Sequence, residues 1–204
     1  MSYSTINVRT NFPEIAAKLD QLPENIGHKA LVRAMNKTVE QGRSEMARKI
    51  SREFMVTQAK ARERLSIERA YVKGGTLHFQ ATLRAGWRHP KGRSMNLIHF
   101  VEKNTTLAQA RKRAKAGTLN QLHFQIKRSG GKKVIKGAFV GNKGRTVFIR
   151  EGKSRLPIKA VNTIDIPQMF NTKRINTVVR QVMLNRLGAN FKRELRSVLG
   201  GWAK

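Results

Sequence analysis

Apolar residues recur at helical spacing near both ends of the chain and at alternate positions across its middle. The first line is Leu31, Met35, Val39, Gly42, Met46, Ile50 and Phe54, at steps of 4, 4, 3, 4, 4 and 4. Such steps place all seven residues on one face of an α-helix. The spacing predicts a long helix that starts after Pro23 and runs to about Phe54. Gly42 lies on this stripe and leaves room for a packed element to come close. Upstream, Asn11 is placed to cap a short helix that reaches about Leu22, with Pro13 in its first turn and Glu14 near the positive end of its dipole. Thr57 caps a further short helix through Leu65. A second long amphipathic helix is predicted from about Thr172 to Leu199. Its apolar positions are Ile175, Val178, Val179, Val182, Met183, Leu187, Phe191, Leu195, Val198 and Leu199, and Gly200-Gly201 is expected to end it.

Between these helices the period falls to two. Ala70–Val72 and Leu77–Leu83, around Gly74-Gly75, read as a hairpin in which Leu77, Phe79, Ala81 and Leu83 share a face. Residues 85–96 form a polar loop, and Leu97–Val101 reads as a short apolar strand. Residues 103–120 are basic and partly helical in pattern. Leu122–Lys127, Lys133–Val140 and Thr146–Arg150 alternate as strands, separated by the turn signals Ser129-Gly130-Gly131 and Gly141–Gly144. Leu156–Val161 is one more strand, and Asp165-Ile166-Pro167 starts a short helix. The fold class is therefore α+β: long N- and C-terminal amphipathic helices packed on a mainly antiparallel β-sheet. Residues 1–204 are expected to form a single domain, with 1–68 helical, 69–163 mostly strands and basic loops, and 164–200 the C-terminal helical part.

Charge changes this picture more than any other property. The 204 residues carry 42 Lys+Arg against 12 Asp+Glu, a formal net charge of +30. Residues 1–68 hold 8 of the acids and 12 bases, for a net of +4. The remaining 136 residues hold 30 bases and 4 acids, a net of +26. A compact body so charged repels itself and calls for a polyanion, an acidic partner or neighbours in an assembly. The densest stretch is 103–136, where Lys103, Arg111, Lys112, Arg113, Lys115, Lys127, Arg128, Lys132, Lys133 and Lys136 occur without one acid. Solvated surfaces usually mix signs, so these ten are the candidate polyanion- or partner-binding residues. Aromatic residues number only 13 (Phe 9, Trp 2, Tyr 2), most of them at apolar positions, which disfavours base stacking. Any nucleic-acid contact would be to the phosphate backbone and without sequence readout.

The sequence offers little for catalysis. With no Cys, neither disulfides nor thiolate metal sites can form. His28, His78, His89, His99 and His123 lack metal-ligand spacing, and His78 and His99 fall in strand patterns as structural histidines. Glu151-Gly152-Lys153 has the Glu-x-Lys form of some metal-dependent nucleases, but that chemistry needs an upstream carboxylate, and Glu102 is the only acid between Glu68 and Glu151. There is no Walker-type phosphate loop. No catalytic, metal or cofactor-binding residue and no cofactor is assigned. No apolar run approaches a membrane span and residues 1–10 have no secretory core, so a soluble, intracellularly made protein with no membrane partner is expected.

The order of motifs adds a resemblance. After the long N-terminal helix come Asn96-Leu97-Ile98-His99-Phe100, then Ile135-Lys136-Gly137-Ala138-Phe139-Val140 and Val147-Phe148-Ile149-Arg150. Arg155-Leu156-Pro157-Ile158 and Ile166-Pro167-Gln168-Met169-Phe170 follow, before the C-terminal helix. Over about residues 25 to 200 this resembles the minor tail protein Z family of phages and prophages, the tail completion proteins of lambda-like phages. The resemblance implies a non-enzymatic virion component of the tail or neck, made in the host cytoplasm. It would act late, at the end of the tail that joins the head, as a ring of identical subunits. Its expected partners are copies of itself and tail or neck proteins with acidic surfaces, with nonspecific DNA contact as a further one. Two long helices and a sheet with open edges suit lateral packing in a ring. Arg155, Pro157 and Pro167 are structural motif positions expected to shape the turn before the C-terminal helix, the prolines by fixing φ and limiting strand pairing. The alternative on charge alone is a nonspecific nucleic-acid-binding protein that grips phosphates through the basic segment.

Overall fold

The computed structural model describes residues 4–8, 24–73, 76–86, 94–101 and 122–202. The chain divides into two compact units, one from Met1–Lys49, Ala59–Pro90 and Ile166–Lys204, the other from Ile50–Gln58 and Lys91–Asp165. The architecture is α+β, with a long helix toward each end and antiparallel sheets between.

The first unit draws on helices α1 (Glu24–Glu53) and α2 (Gln58–Glu63) and strands β1 (Ser4–Val8) and β2 (Leu65–Glu68). Strands β3 (Tyr71–Lys73), β4 (Thr76–His78) and β5 (Ala81–Ala85) follow. Near the C-terminus it gains α3 (Ile166–Phe170) and α4 (Lys173–Trp202). The α1 stripe is buried as its spacing requires: Leu31, Met35, Val39 and Met46 are all at most 2% exposed. On α4, Ile175, Val179, Met183, Leu187, Phe191 and Val198 are buried, while Val178 and Leu199 remain exposed. Gly42 does permit a close approach, because a Cβ there would lie 2.8 Å from Met183 Cγ. One turn away, Asn190 Nδ2 donates to Thr38 Oγ1 (2.9 Å) and Gln41 Oε1 (3.0 Å), which fixes α4 against α1 with buried polar bonds. Asn36 takes both backbone groups of Ala70 at 2.9 Å and so anchors the chain ahead of β3.

The sheet of this unit has the order β1-β5-β2, all antiparallel, with β5 in the centre. Ala81, Thr82 and Leu83 are all buried, so β5 is covered on both faces as a central strand must be. Several expectations are corrected here. Ser4–Val8 and Leu65–Glu68 are strands within the stretch read as helical, and the short helix ends at Glu63. The expected strand Leu77–Leu83 is broken: β4 pairs with β3 as a hairpin, and β5 leaves it for the other sheet. Helix α4 continues through Gly200-Gly201 to Trp202, because glycine lowers helix propensity without ending a helix unless its backbone turns left-handed.

The second unit contains β6 (Met95–Asn96) paired with β12 (Asn162–Thr163), and the hairpin β7 (His123–Phe124) with β8 (Lys133–Val134). Strands β9 (Phe139–Gly141), β10 (Thr146–Arg150) and β11 (Ile158–Ala160) form a sheet in the order β11-β10-β9. Ile50, Phe54, Met95, Leu97, Phe100, Leu122, Phe124 and Val147 make its core. Leu97–Phe100 is a 3-10 helix rather than the expected strand, and exposed His99 sits in it. Leu97 and Phe100 are buried three residues apart, the repeat of a 3-10 turn. Asn96 Oδ1 caps that turn by accepting from Ile98 N at 3.1 Å, and it also accepts from Val147 N at 2.9 Å. The helix expected to reach Leu22, and residues 103–120, lie outside the described residues.

Candidate partner-binding surface

The candidate cations that can be placed lie on and beside one hairpin of the second unit. Buried Leu122 and Phe124 anchor it, and Gln125 N donates to Phe100 O at 3.1 Å. Its loop is closed by Gln125 Nε2, which donates to Arg128 O (3.0 Å) and Gly130 O (2.6 Å). This local bonding holds the turn signal Ser129-Gly130-Gly131 between β7 and β8 and presents Lys127, Lys132 and Lys133 as exposed side chains. Lys136 is exposed in the next turn, where Ala138 N donates to Ile135 O at 3.2 Å and Gly137 takes φ +75°.

Arg128 differs from its neighbours. Its backbone N donates to Glu53 O at 2.9 Å and its Nε to Ser51 O at 2.8 Å. Both carbonyls belong to the last turn of α1, where helix carbonyls lack intrahelical partners and carry the negative end of the dipole. Arg128 thus caps α1, and only the rest of its guanidinium is left to face a partner. Lys103, Arg111, Lys112, Arg113 and Lys115 lie outside the described residues.

The exposed charge extends further than the stretch the sequence singled out. Residues 122–165 contain 11 Lys and Arg, every one exposed, against Glu151, exposed, and Asp165, buried. Arg150 and Lys159 on the β9–β10–β11 sheet, and Lys143, Arg145 and Lys153 in its connections, join the basic surface as exposed side chains. On one face of that sheet Phe139 and Phe148 pair across strands at 6.0 Å, and the Arg150 guanidinium sits 4.8 Å from the Phe139 ring centre. Arg155 and Pro157 stand in the exposed β10–β11 connection, where the Leu156–Pro157 peptide is cis and Pro157 O accepts from Glu151 N at 3.2 Å. Pro167 lies in the first turn of α3 against Gly86, whose φ is +86° and whose added Cβ would lie 2.9 Å from Pro167 Cγ.

The Glu151-Gly152-Lys153 fragment sits on the same exposed connection. Among the described residues no group of three or more His, Asp or Glu is placed to hold a metal ion. No helix among them is long and apolar enough to cross a membrane.

A family model described as prophage minor tail protein Z (GPZ) matches residues 14–200. The chain belongs to this family. It is accordingly a structural protein of a phage tail, and the motifs from Asn96 to Phe170 lie within the matched span. No curated protein and no solved structure matches the chain.

Proposed function

We propose that this member of the minor tail protein Z family acts in tail completion and head–tail joining, as a ring of identical subunits at the head-proximal end of the tail. The observation that carries the reading is a family match that spans nearly the whole chain. In this reading the protein has no enzymatic role, is made in the host cytoplasm and enters the virion at the tail or neck. The surface of residues 122–165, with eleven exposed cations against the one exposed acid Glu151, supports docking on an acidic protein neighbour. An acidic neighbour fits better than the DNA channel, since a strongly cationic lumen would bind the passing genome and slow it.

Charge reversal tests the reading. Changing Lys127, Lys133 and Lys136 to Glu, or Arg111, Lys112, Arg113 and Lys115 to Glu, is expected to leave the circular dichroism spectrum unchanged and to cut tail completion at least about tenfold, a loss near 1.4 kcal/mol in docking. Undiminished completion in both variants would make these cations a merely solvated face. The nucleic-acid alternative makes a different forecast: a monomer or dimer in ~0.5 M salt, where charge-driven aggregates are screened, and duplex binding that falls steeply with salt.

A further inference from the structure

The first unit holds a second charged feature, made by residues well before the basic segment in sequence. Among the described residues, strand β2 is an edge of the sheet β1-β5-β2. Gly86 N donates to Arg64 O at 3.2 Å, which makes this a hydrogen-bonded pair of the β2–β5 ladder. The register pairs Ser66 with Arg84 and Glu68 with Thr82, so these are the next hydrogen-bonded pairs. Antiparallel ladders alternate, and the N–H and C=O groups of Leu65 and Ile67 therefore point away from β5. Among the described residues no other backbone group bonds to them.

The residues of this edge, Leu65, Ser66 and Ile67, line a cleft of about 360 Å³. Four arginines, Arg43, Arg62, Arg64 and Arg69, line it with two glutamates, Glu40 and Glu63. Glu40 is bracketed by Arg43 (2.9 Å) and Arg69 (2.7 Å), and Glu63 pairs with Lys60 (3.0 Å). Arg62 has a neutral partner, the Ser44 hydroxyl, at 2.9 Å. The Ser66 hydroxyl and Arg43 Nε are buried without a hydrogen-bond partner.

We propose that the β2 edge and its arginine-lined cleft are a docking groove for an extended acidic segment of a partner protein, which adds to the sheet as a further strand. The open edge offers donors and acceptors in alternation. A peptide backbone matches both, whereas a phosphate supplies acceptors alone. Arginine forks take carboxylates in pairs of bonds, so acidic side chains on the added strand meet Arg62 and its neighbours. The inference does not rest on the tail-completion reading; it needs only this edge and these charges.

The test uses the full chain and a short fluorescent peptide that alternates glutamate with valine, read by anisotropy and by amide hydrogen exchange. Binding is expected, with new protection at the Leu65 and Ile67 amides. Methylating alternate peptide nitrogens should weaken it at least about tenfold, as should Arg62→Ala. Ile67→Pro removes an outward donor from an edge position that tolerates proline, so it should weaken binding in a folded protein. A lysine–valine peptide should not bind. No binding would overturn the proposal, as would binding indifferent to methylation or equal displacement by duplex DNA or inorganic phosphate. Self-association of Arg62→Ala without peptide binding would also overturn it, making the arginines guards against edge pairing.

Discussion

Gly42 carries more of the helix packing than its size suggests. It occupies a position in the apolar stripe of α1 that a side chain would otherwise fill, and Met183 of α4 fills it instead. Gly42→Leu is expected to overpack this contact and destabilise the protein by about 1–3 kcal/mol, read as a lower urea midpoint with an unchanged slope. The opening was legible in the sequence, because a glycine at stripe spacing between Val39 and Met46 has no other evident use in a helix. Asn96 was not. Its side chain bonds Ile98 N and Val147 N, the second 51 residues away, and no local pattern announces which distant backbone an asparagine serves. The same holds for the arginine-lined cleft: Arg43, Arg62, Arg64 and Arg69 are scattered among acids in the sequence, and only the fold of α1, α2 and β2 collects them.

At the scale of elements, the long helices follow from periodicity because many residues repeat the same signal. The α1 stripe has seven positions, and errors in one do not move the helix. Short strands lack that redundancy. The two-residue strands β6 and β12 are set by each other across more than sixty residues, and β1 pairs with β5 across more than seventy residues of chain. The apolar run Leu97–Phe100 suits strand or turn equally until Asn96 caps it. Basic residues also divide by the element they serve. Arg128→Ala removes a cap from the last turn of α1 and is expected to cost about 1 kcal/mol of stability. Lys133→Ala, on an exposed strand position, should stay within about 0.5 kcal/mol of the parent by thermal or urea unfolding. A comparable loss in both would remove the distinction between a capping cation and a partner-facing one.

For the whole molecule, folding redistributes the charge that looks lopsided along the sequence. The first unit holds 23 bases and 8 acids, the second 19 and 4, so each has a net of +15. The bases of α4 belong to the unit that holds most of the acids, while the second unit carries its charge on fewer residues. Neither unit is neutral, and both are expected to seek acidic neighbours, one through its many exposed cations and the other through an arginine-lined groove. The α+β class, both long helices and the family were readable from the chain. The grouping into units was not, since α3 and α4 follow the second unit in sequence yet belong to the first.

The central claim is that this protein completes tails so that heads can join. The most direct test is an add-back experiment with purified tails made without it and with DNA-filled heads. Adding the protein should restore joined, infectious particles, with labelled protein seen as a ring at the head-proximal end. Tails that join heads equally well without it would contradict the account.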